Sequence, residues 1–195
     1  MQRQALVEEI KTLMDLVARN TTTLADNMME IDVSEYSDPA QFQREKTQLF
    51  RNYPQFVGPS SVVPEPGDYF AFDDTGVPIL IVRQADNSLQ AFVNICSHRG
   101  APLNECDHGK AKKGRLFSCP YHGWKYDLQG KLVGVPFGNE GFPSIDRDAL
   151  GLRPLDVQEK HGMIFVMPNP ELSFDIEEVL GGIQERLSGF GFETS

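Results

Sequence analysis

The chain has 195 residues, of which 40% are apolar and 24% are charged. This composition is typical of a folded globular protein and excludes a disordered or collagen-like chain. The excess of 28 acidic over 18 basic residues gives a net charge of −10, which disfavours nucleic acid and anionic membranes as partners because the overall field repels phosphate.

The N-terminal segment predicts an amphipathic helix. Apolar residues recur at three- and four-residue intervals from Leu6 to Val17, so a helix over residues 4–28 is expected to pack through its apolar face. The longest apolar run, residues 77–82, falls far short of the roughly 20 residues of a membrane span. The first residues turn acidic before an apolar stretch builds up, so no secretory signal is expected and we predict a cytoplasmic protein.

A second helix is predicted over residues 39–51. Asp38 is suited to the N-cap, Pro39 to the first turn, and Gln41 to the closing position of a capping box. The helix is expected to stop at Tyr53, because the residue before a proline avoids helical angles.

From Phe56 onward, short β-type runs separated by turns predict an antiparallel, mainly β unit. Residues suited to tight turns occupy positions 74–76, 85–88 and 127–130, so the strands that flank them are expected to pair as hairpins. The predicted strands cover residues 69–72, 77–83, 89–95, 115–118, 124–127, 153–158 and 163–167. After a break at 168–170, apolar residues from Phe174 to Leu187 predict a final helix.

Cysteine and histidine are scarce and clustered. The chain has three cysteines and four histidines. An odd number of cysteines without a secretory signal argues against a disulfide scaffold and favours metal binding or simple packing. The candidate ligands form two pairs, each with one thiol and one imidazole: Cys96 with His98, and Cys119 with His122.

Ligand pairs spaced this closely can reach a common metal centre only from tight loops, which the neighbouring glycines and Pro120 favour. Two such loops facing each other supply a Cys₂His₂ set. A [2Fe–2S] cluster can divide that set, with two thiolates on one iron and two imidazoles on the other.

The segments around these pairs, 92–100 and 119–124, closely resemble the Rieske motif of the large subunit of Rieske non-haem iron oxygenases. The resemblance extends over roughly residues 36–166. It implies a Rieske-type antiparallel β-sandwich with a cluster-binding subdomain, preceded by N-terminal helices and followed by a short helix. The implied organisation is a helical segment at 1–54, a Rieske [2Fe–2S] domain at 55–167, and a linker and helix at 168–195 that lead to an absent catalytic domain.

Two other metal assignments compete with this one. A structural Zn²⁺ ion also accepts Cys₂His₂, although such sites typically begin with two cysteines spaced by two to four residues. Cys106 and His108 form another Cys-x-His pair, but it leaves only ten residues before Cys119. Residues 107–114 look like an insertion relative to the family. We interpret Cys106 as a packed residue and His108 as a solvated loop residue.

Four residues beside the ligands are candidates for supporting roles: Arg99, Gly100, Tyr121 and Trp124. Trp124 is interpreted as a packed cover over the sulfurs, and Arg99 as a donor to loop carbonyls or part of a docking face. High-potential relatives of this scheme carry an additional disulfide and a serine hydroxyl, whereas this chain has Ala101, Tyr121 and Trp124 at those positions. We therefore predict a potential near the low end of the Rieske range, about −150 to −100 mV.

A basic run, Lys110, Lys112, Lys113 and Arg115, precedes the second ligand pair. It predicts either a solvated loop or a docking site for an acidic ferredoxin.

The resemblance implies electron transfer from a ferredoxin or flavin reductase to a mononuclear Fe(II) site of an aromatic-ring-hydroxylating oxygenase made of several subunits. That iron takes two histidines and a carboxylate. Only His108 and His161 remain, so we expect the iron in the absent catalytic domain, and His161 is interpreted as a turn residue. A free-standing Rieske ferredoxin-like carrier and a zinc-stabilised interaction domain remain alternatives.

Overall fold

The strands form where the sequence has short apolar or alternating runs, and they build antiparallel sheets. The computed structural model describes residues 3–104, 108–111, 116–190 and 192. Its strands are β1 (Gln55–Pro59), β2 (Asp68–Phe72), β3 (Ile79–Arg83), β4 (Leu89–Val93), β5 (His108–Lys110), β6 (Leu116–Ser118), β7 (Lys125–Asp127), β8 (Leu132–Gly134), β9 (Pro154–Leu155), β10 (Val157–Lys160) and β11 (Met163–Val166).

Three sheets result, with the orders β1-β11-β10, β5-β2-β3-β4-β9 and β6-β7-β8 in the described part of the chain. Their strand pairs are antiparallel, so the predicted mainly β, antiparallel fold is confirmed. The three predicted turns join β2 to β3, β3 to β4 and β7 to β8, each as a paired hairpin.

One predicted strand, 153–158, is divided. β9 pairs with β4, whereas β10 pairs with β11 in a different sheet. Asp156 lies at the crossing, where its carbonyl accepts a hydrogen bond from the Met167 amide and its carboxylate accepts one from the Phe174 amide. The sequence pattern missed the division because apolar residues continue on both sides of it.

The first and final helices are shorter than predicted. They are α1 (Arg3–Ala18), α2 (Ser34–Ser37), α3 (Pro39–Glu45), α4 (Gly138–Gly141), α5 (Ile176–Leu180) and α6 (Gln184–Leu187). The first predicted helix ends early because Asn20 takes a left-handed conformation with φ of 50°. The final predicted helix is interrupted at Gly181, whose φ is 47°, and a 3₁₀ turn follows.

The start of the second helix is partly as predicted. The Asp38 carboxylate accepts a hydrogen bond from the Ala40 amide, which confirms the N-cap. Gln41 does not close the predicted capping box, because its side chain bonds Glu45 and Arg44 instead. A π-helical turn, Lys46–Phe50, continues α3 towards Tyr53.

Among the described residues of α1, none is buried. Leu13 and Val17 of its apolar face are 60% and 78% exposed, so the predicted packing of this face is not found in the described part of the chain. No helix in the described ranges has the length and apolar character that crossing a membrane requires.

β3 separates two hydrophobic cores because its side chains alternate between the faces of the sheet and all five residues are buried. Leu80 and Val82 enter the loop-side core: Leu80, Val82, Phe92, Cys96, Leu103, Phe117, Cys119, Trp124, Tyr126, Leu128, Leu132 and Leu152. Ile79 and Ile81 enter the basal core: Val57, Val63, Ile79, Ile81, Ala91, Leu155, Ile164 and Val166.

An ion pair joins the five-stranded sheet to the β1-β11-β10 sheet. Arg83, which ends β3, contacts both carboxylate oxygens of Glu159 on β10, at 2.6 and 2.8 Å. The same guanidinium donates to the Val63 carbonyl at 2.9 Å. Arg83 is 6% exposed, so its charge depends on these protein acceptors rather than on water.

Candidate metal centre

Two loops of matching backbone geometry carry the candidate ligands. In the 96–101 loop, the Cys96 amide donates to the Ala101 carbonyl at 2.8 Å, and the Gly100 amide donates to the Cys96 carbonyl at 2.9 Å. In the 119–124 loop, Cys119 is bonded in the same way to Trp124 and Gly123, at 2.8 and 3.0 Å. Each loop is therefore a closed turn with a cysteine at its base.

The glycine of each loop has a conformational role. Gly100 and Gly123 have φ values of 71° and 72°, in the left-handed region, which a side chain with Cβ rarely adopts. The candidate assignment of Gly100 thus corresponds to a turn position, and Gly123 has the same position in the second loop.

The two thiols lie together in the loop-side core. Cys96 and Cys119 are 1% and 4% exposed, and both are free thiols. Their side chains are near enough to interact. Burial raises the pKa of the Cys96 thiol, and the neighbouring Cys119 adds to the increase. A charged thiolate pair in this position needs a compensating cation.

The two imidazoles lie on the solvent side of the thiols. The rings of His98 and His122 have centroids 4.7 Å apart at an angle of 70°. His122 is exposed, whereas His98 is half-buried. The Nδ1 atom of His98 is buried without a hydrogen-bond partner among the described residues. Burial, followed by His122 and Arg99, lowers the pKa of His98 and favours the neutral imidazole that binds metals.

Aromatic side chains enclose His98. The Trp124 ring is stacked on it, with centroids 4.7 Å apart and planes within 10°. The Phe142 ring meets His98 edge-on at 5.7 Å and Trp124 at 5.6 Å. Trp124 is 3% exposed, so the candidate cover residue is a packed side chain, and its ring contacts are with His98 and Phe142.

The donor set fits a [2Fe–2S] cluster. It combines two buried thiols, two imidazoles nearer solvent, and an unpartnered ring nitrogen on the inner histidine. These donors are the Cys₂ and His₂ sets that a cluster of this type takes on its two irons. Within the described ranges, no three His, Cys, Asp or Glu side chains are grouped around a position for one metal ion.

The other residues that the sequence proposed for supporting or docking roles lie in different surroundings. Arg99 and Tyr121 are exposed, and the Tyr121 ring lies 3.8 Å from that of His122. Lys110 contacts the carboxylates of Glu65 and Asp68, which offset its charge, and Glu65 raises its pKa. The other basic residues, Lys112, Lys113 and Arg115, lie outside the described residues, as does Cys106.

The two remaining histidines do not come together. His108 is exposed on β5 at the edge of the five-stranded sheet. His161 has a φ of 51° in the turn between β10 and β11, as its interpretation as a turn residue predicted.

Tyr126 is a site residue that sequence reasoning missed. Its hydroxyl lies 3.3 Å from Sγ of Cys96 and accepts a hydrogen bond from the Ser97 amide at 3.1 Å. Because the amide uses a lone pair of the hydroxyl oxygen, the O–H is left to donate to sulfur. Its position on the strand after the second loop was the available signal, since a tyrosine that is fully buried needs a partner for its hydroxyl.

Asn94 is a second missed residue. Its side-chain oxygen accepts from the Leu103 amide at 3.1 Å, and its amide donates to the Asn104 carbonyl at 2.9 Å. The two ends of the segment that contains the first loop are thereby tied together, at a residue that is 4% exposed.

Comparison with protein families places these loops in a known pattern. Residues 53–146 match the family model described as the Rieske [2Fe–2S] domain. The benzene 1,2-dioxygenase alpha subunit of Pseudomonas putida is 33% identical over 173 residues, which are 89% of this chain and 35% of that protein. The biphenyl dioxygenase alpha subunit of Paraburkholderia xenovorans is 41% identical over 112 residues, 57% of this chain and 24% of that protein.

The solved structures that resemble this chain include Rieske oxygenases. A quaternary ammonium Rieske monooxygenase in complex with an inhibitor superposes with a TM-score of 0.74 at 32% identity, covering 82% of this chain and 43% of that one. A naphthalene 1,2-dioxygenase bound to phenanthrene gives a TM-score of 0.68 at 32% identity, covering 75% and 32%. The chain spans about a third of the length of the benzene dioxygenase subunit, 35%.

Proposed function

This chain contains a Rieske [2Fe–2S] domain related to the N-terminal part of Rieske oxygenase alpha subunits, and we propose that it relays single electrons within such an oxygenase. The cluster is held by Cys96, His98, Cys119 and His122. When bound, it supplies one-electron redox chemistry.

The observation that carries the proposal is the separation of donor types on two matched loops. Buried thiols supply the negative ligands, and the imidazoles lie between them and solvent. His122 is the exposed ligand, so it is the side chain through which electronic contact with a partner is shortest. Trp124 and Phe142 restrict water around His98, and Tyr126 holds a hydroxyl proton against the Cys96 sulfur.

In the full-length protein, we propose that the electron continues to a mononuclear Fe(II) ion in a catalytic domain that follows the linker and helix at 168–195. The relatives named above are dioxygenases and a monooxygenase, and hydroxylation of an aromatic or related organic compound is the corresponding activity. The electron comes from a ferredoxin or flavin reductase in the cytoplasm, and the full chain assembles with further oxygenase subunits.

The proposal is tested by anaerobic reconstitution of the chain with iron and sulfide. We expect two irons and two sulfides per chain and a rhombic EPR signal on reduction by dithionite. Replacing Cys96 or Cys119 by serine abolishes the signal, whereas Cys106→Ser, the matched control, leaves it unchanged. Stoichiometric zinc with no EPR signal after reduction overturns the proposal, and loss of iron in Cys106→Ser overturns the ligand assignment.

A further inference from the structure

The two ligand loops belong to different sheets. The first loop, 96–101, follows β4 of the five-stranded sheet, whereas the second loop, 119–124, connects β6 and β7 of the β6-β7-β8 sheet. A cluster bound by both loops needs its ligands positioned to within about 0.5 Å. The distance at which the two sheets are held therefore decides whether the four ligands can share one cluster.

Gly151 lies between the two sheets and contacts the parts that carry the loops. Its carbonyl accepts a hydrogen bond from the Ser97 hydroxyl of the first loop at 3.1 Å. On its other side, a Cβ built on Gly151 would lie 3.1 Å from the carbonyl oxygen of Gly130, in the turn between β7 and β8. Only a residue without a side chain leaves this backbone approach undisturbed.

The turn that contains Gly130 is fixed by its other neighbours. The Gly130 carbonyl accepts from the Leu152 amide at 2.7 Å, and the Gln84 side-chain amide donates to the Leu128 carbonyl at 2.8 Å. A Cβ built on Gly130 would lie 2.5 Å from the Phe92 ring of β4, so the turn rests on the strand that leads to the first loop. A group inserted at residue 151 must therefore displace either β7 or the first loop.

β7 makes a direct contact with the first loop. Its Tyr126 hydroxyl accepts from the Ser97 amide at 3.1 Å and lies 3.3 Å from Sγ of Cys96. Movement of β7 relative to the first loop therefore changes the surroundings of a ligand atom.

We propose that Gly151 is a positioning residue for the cluster, because its lack of a side chain sets the separation of the two ligand loops. The inference rests on the proposed function, since it concerns the site that this function requires. Gly151 acts through Ser97 and Gly130 and not by binding iron.

The test compares reconstituted Gly151→Ala with the unchanged chain in EPR spectrum, midpoint potential and rate of iron loss to a chelator. The backbone of Gly151 lies outside the left-handed region, so alanine adds a Cβ without backbone strain. A carbon added to a packed contact forces its neighbours to shift. We expect two irons per chain, changed g values, a changed midpoint potential, and iron loss that is about tenfold faster.

The matched control is Gly134→Ala. A Cβ built on Gly134 would lie 3.3 Å from Cβ of Lys125, and the atoms nearest to it all belong to that side chain. Both residues are in the β6-β7-β8 sheet, so this variant crowds one sheet and leaves the separation of the loops unchanged. We expect its g values, midpoint potential and iron-loss rate to equal those of the unchanged chain.

Ser97→Ala tests the same contact without adding a group, and so does not depend on how Gly151→Ala folds. It removes the hydroxyl that joins the first loop to the Gly151 carbonyl, and we expect faster iron loss. Because both substitutions act on one contact, the iron-loss rate of the double variant should rise by less than the product of the two separate factors.

Three results overturn the positioning role. They are unchanged g values and potential in Gly151→Ala, changes in Gly134→Ala that equal those in Gly151→Ala, and factors for Gly151→Ala and Ser97→Ala that multiply. In each case a rhombic EPR signal from the unchanged chain leaves the proposed function standing, whereas absence of that signal counts against the proposed function itself.

Discussion

The two cores on either side of β3 are stabilised in different ways. The basal core consists of aliphatic side chains from strands of two sheets, with Ile79, Ile81, Ile164 and Val166 fully buried. The loop-side core includes Cys96, Cys119 and aromatic rings, and single polar side chains fix its loops. Burial of apolar side chains therefore stabilises the basal core, whereas the loop-side core places two thiols where a metal centre is required to balance them.

The two faces of β3 therefore support different parts of the protein. Leu80 and Ile81 are adjacent and both 0% exposed, yet one supports the candidate ligands and the other supports the sheets. Repacking within the basal core is expected to change stability alone. Changes in the loop-side core are expected to alter stability and redox properties together.

The largest expected effect is that of iron removal. Chelation under reducing conditions should disorder the 96–101 and 119–124 loops, because the buried thiols lose their cation, and should leave the basal sheets folded. Trp124, the only tryptophan, lies in the loop-side core, so its fluorescence reports on that region. We expect a red shift of its emission with little change in far-ultraviolet circular dichroism.

An unchanged Trp124 emission maximum in the iron-free chain would show that the loop-side core is stable without metal. Complete loss of the circular dichroism signal would show that the basal core also depends on the metal. Either outcome would mean that the two cores do not differ in their dependence on the metal.

The next largest effect is expected on the free energy of unfolding when a side chain on either face of β3 is shortened. Ile81→Ala should lower the free energy of unfolding by about 2–5 kcal/mol with or without iron, because it opens a cavity in the basal core. Leu80→Ala should cost a similar amount in the iron-loaded chain and clearly less after iron removal, since its surroundings are then already loosened. Urea unfolding followed by circular dichroism measures all four values, and equal costs for Leu80→Ala in both forms would contradict the prediction.

Strands with apolar runs were easier to predict from the sequence than the contacts around the candidate ligands. Apolar runs and turn residues predicted β2, β3, β4 and the hairpins between them, because short-range patterning and turn chemistry are local properties. β1, β5 and β8 were not predicted: Gln55–Pro59 contains a glycine and ends in proline, and His108–Lys110 is polar. Strands of this kind form because a neighbouring strand is available for pairing.

The candidate ligand positions were predicted from residue type and spacing alone, because both can be read directly from the sequence. The surroundings of the ligands could not be predicted in this way, because they depend on residues that are distant in sequence. Tyr126 contacts Cys96 across 30 positions, and Phe142 contacts His98 from a later turn. The length of α1 was also beyond local reasoning, since an amphipathic pattern does not specify where an exposed helix ends.

An intermediate effect is expected from the ion pair between Arg83 of β3 and Glu159 of β10. Arg83 lowers the pKa of Glu159, so the stabilisation is complete above the usual carboxyl range near 4.5 and is lost as the pH falls through the lowered value. Glu159→Gln should therefore reduce the free energy of unfolding at pH 7 by about 3 kcal/mol, because it leaves Arg83 buried without its counter-charge.

The difference between the unchanged chain and Glu159→Gln should shrink as the pH is lowered from 6 to 3. Glu171→Gln is the control, because its pair with Arg153 lies at the surface and should contribute less than about 1 kcal/mol. A difference that does not vary with pH would mean that the charge of Glu159 is not the source of the effect.

The smallest expected effect concerns the hydrogen bond from Tyr126 to Cys96. Reduction adds negative charge to the cluster, and a donor at the sulfur stabilises that charge, so Tyr126→Phe should lower the midpoint potential. A hydrogen bond contributes about 0.5–1.5 kcal/mol, which corresponds to about 20–60 mV for one electron.

Tyr121→Phe is the matched control, because it removes a hydroxyl from an exposed ring. Redox titration followed by EPR measures both. With Tyr126 present we expect a potential of about −150 to −100 mV, so the potential of the variant is expected at about −210 to −120 mV. Equal shifts in the two variants would mean that the hydroxyl at Cys96 does not act on the potential, and the polar side chains of the loop-side core would then have a structural role alone.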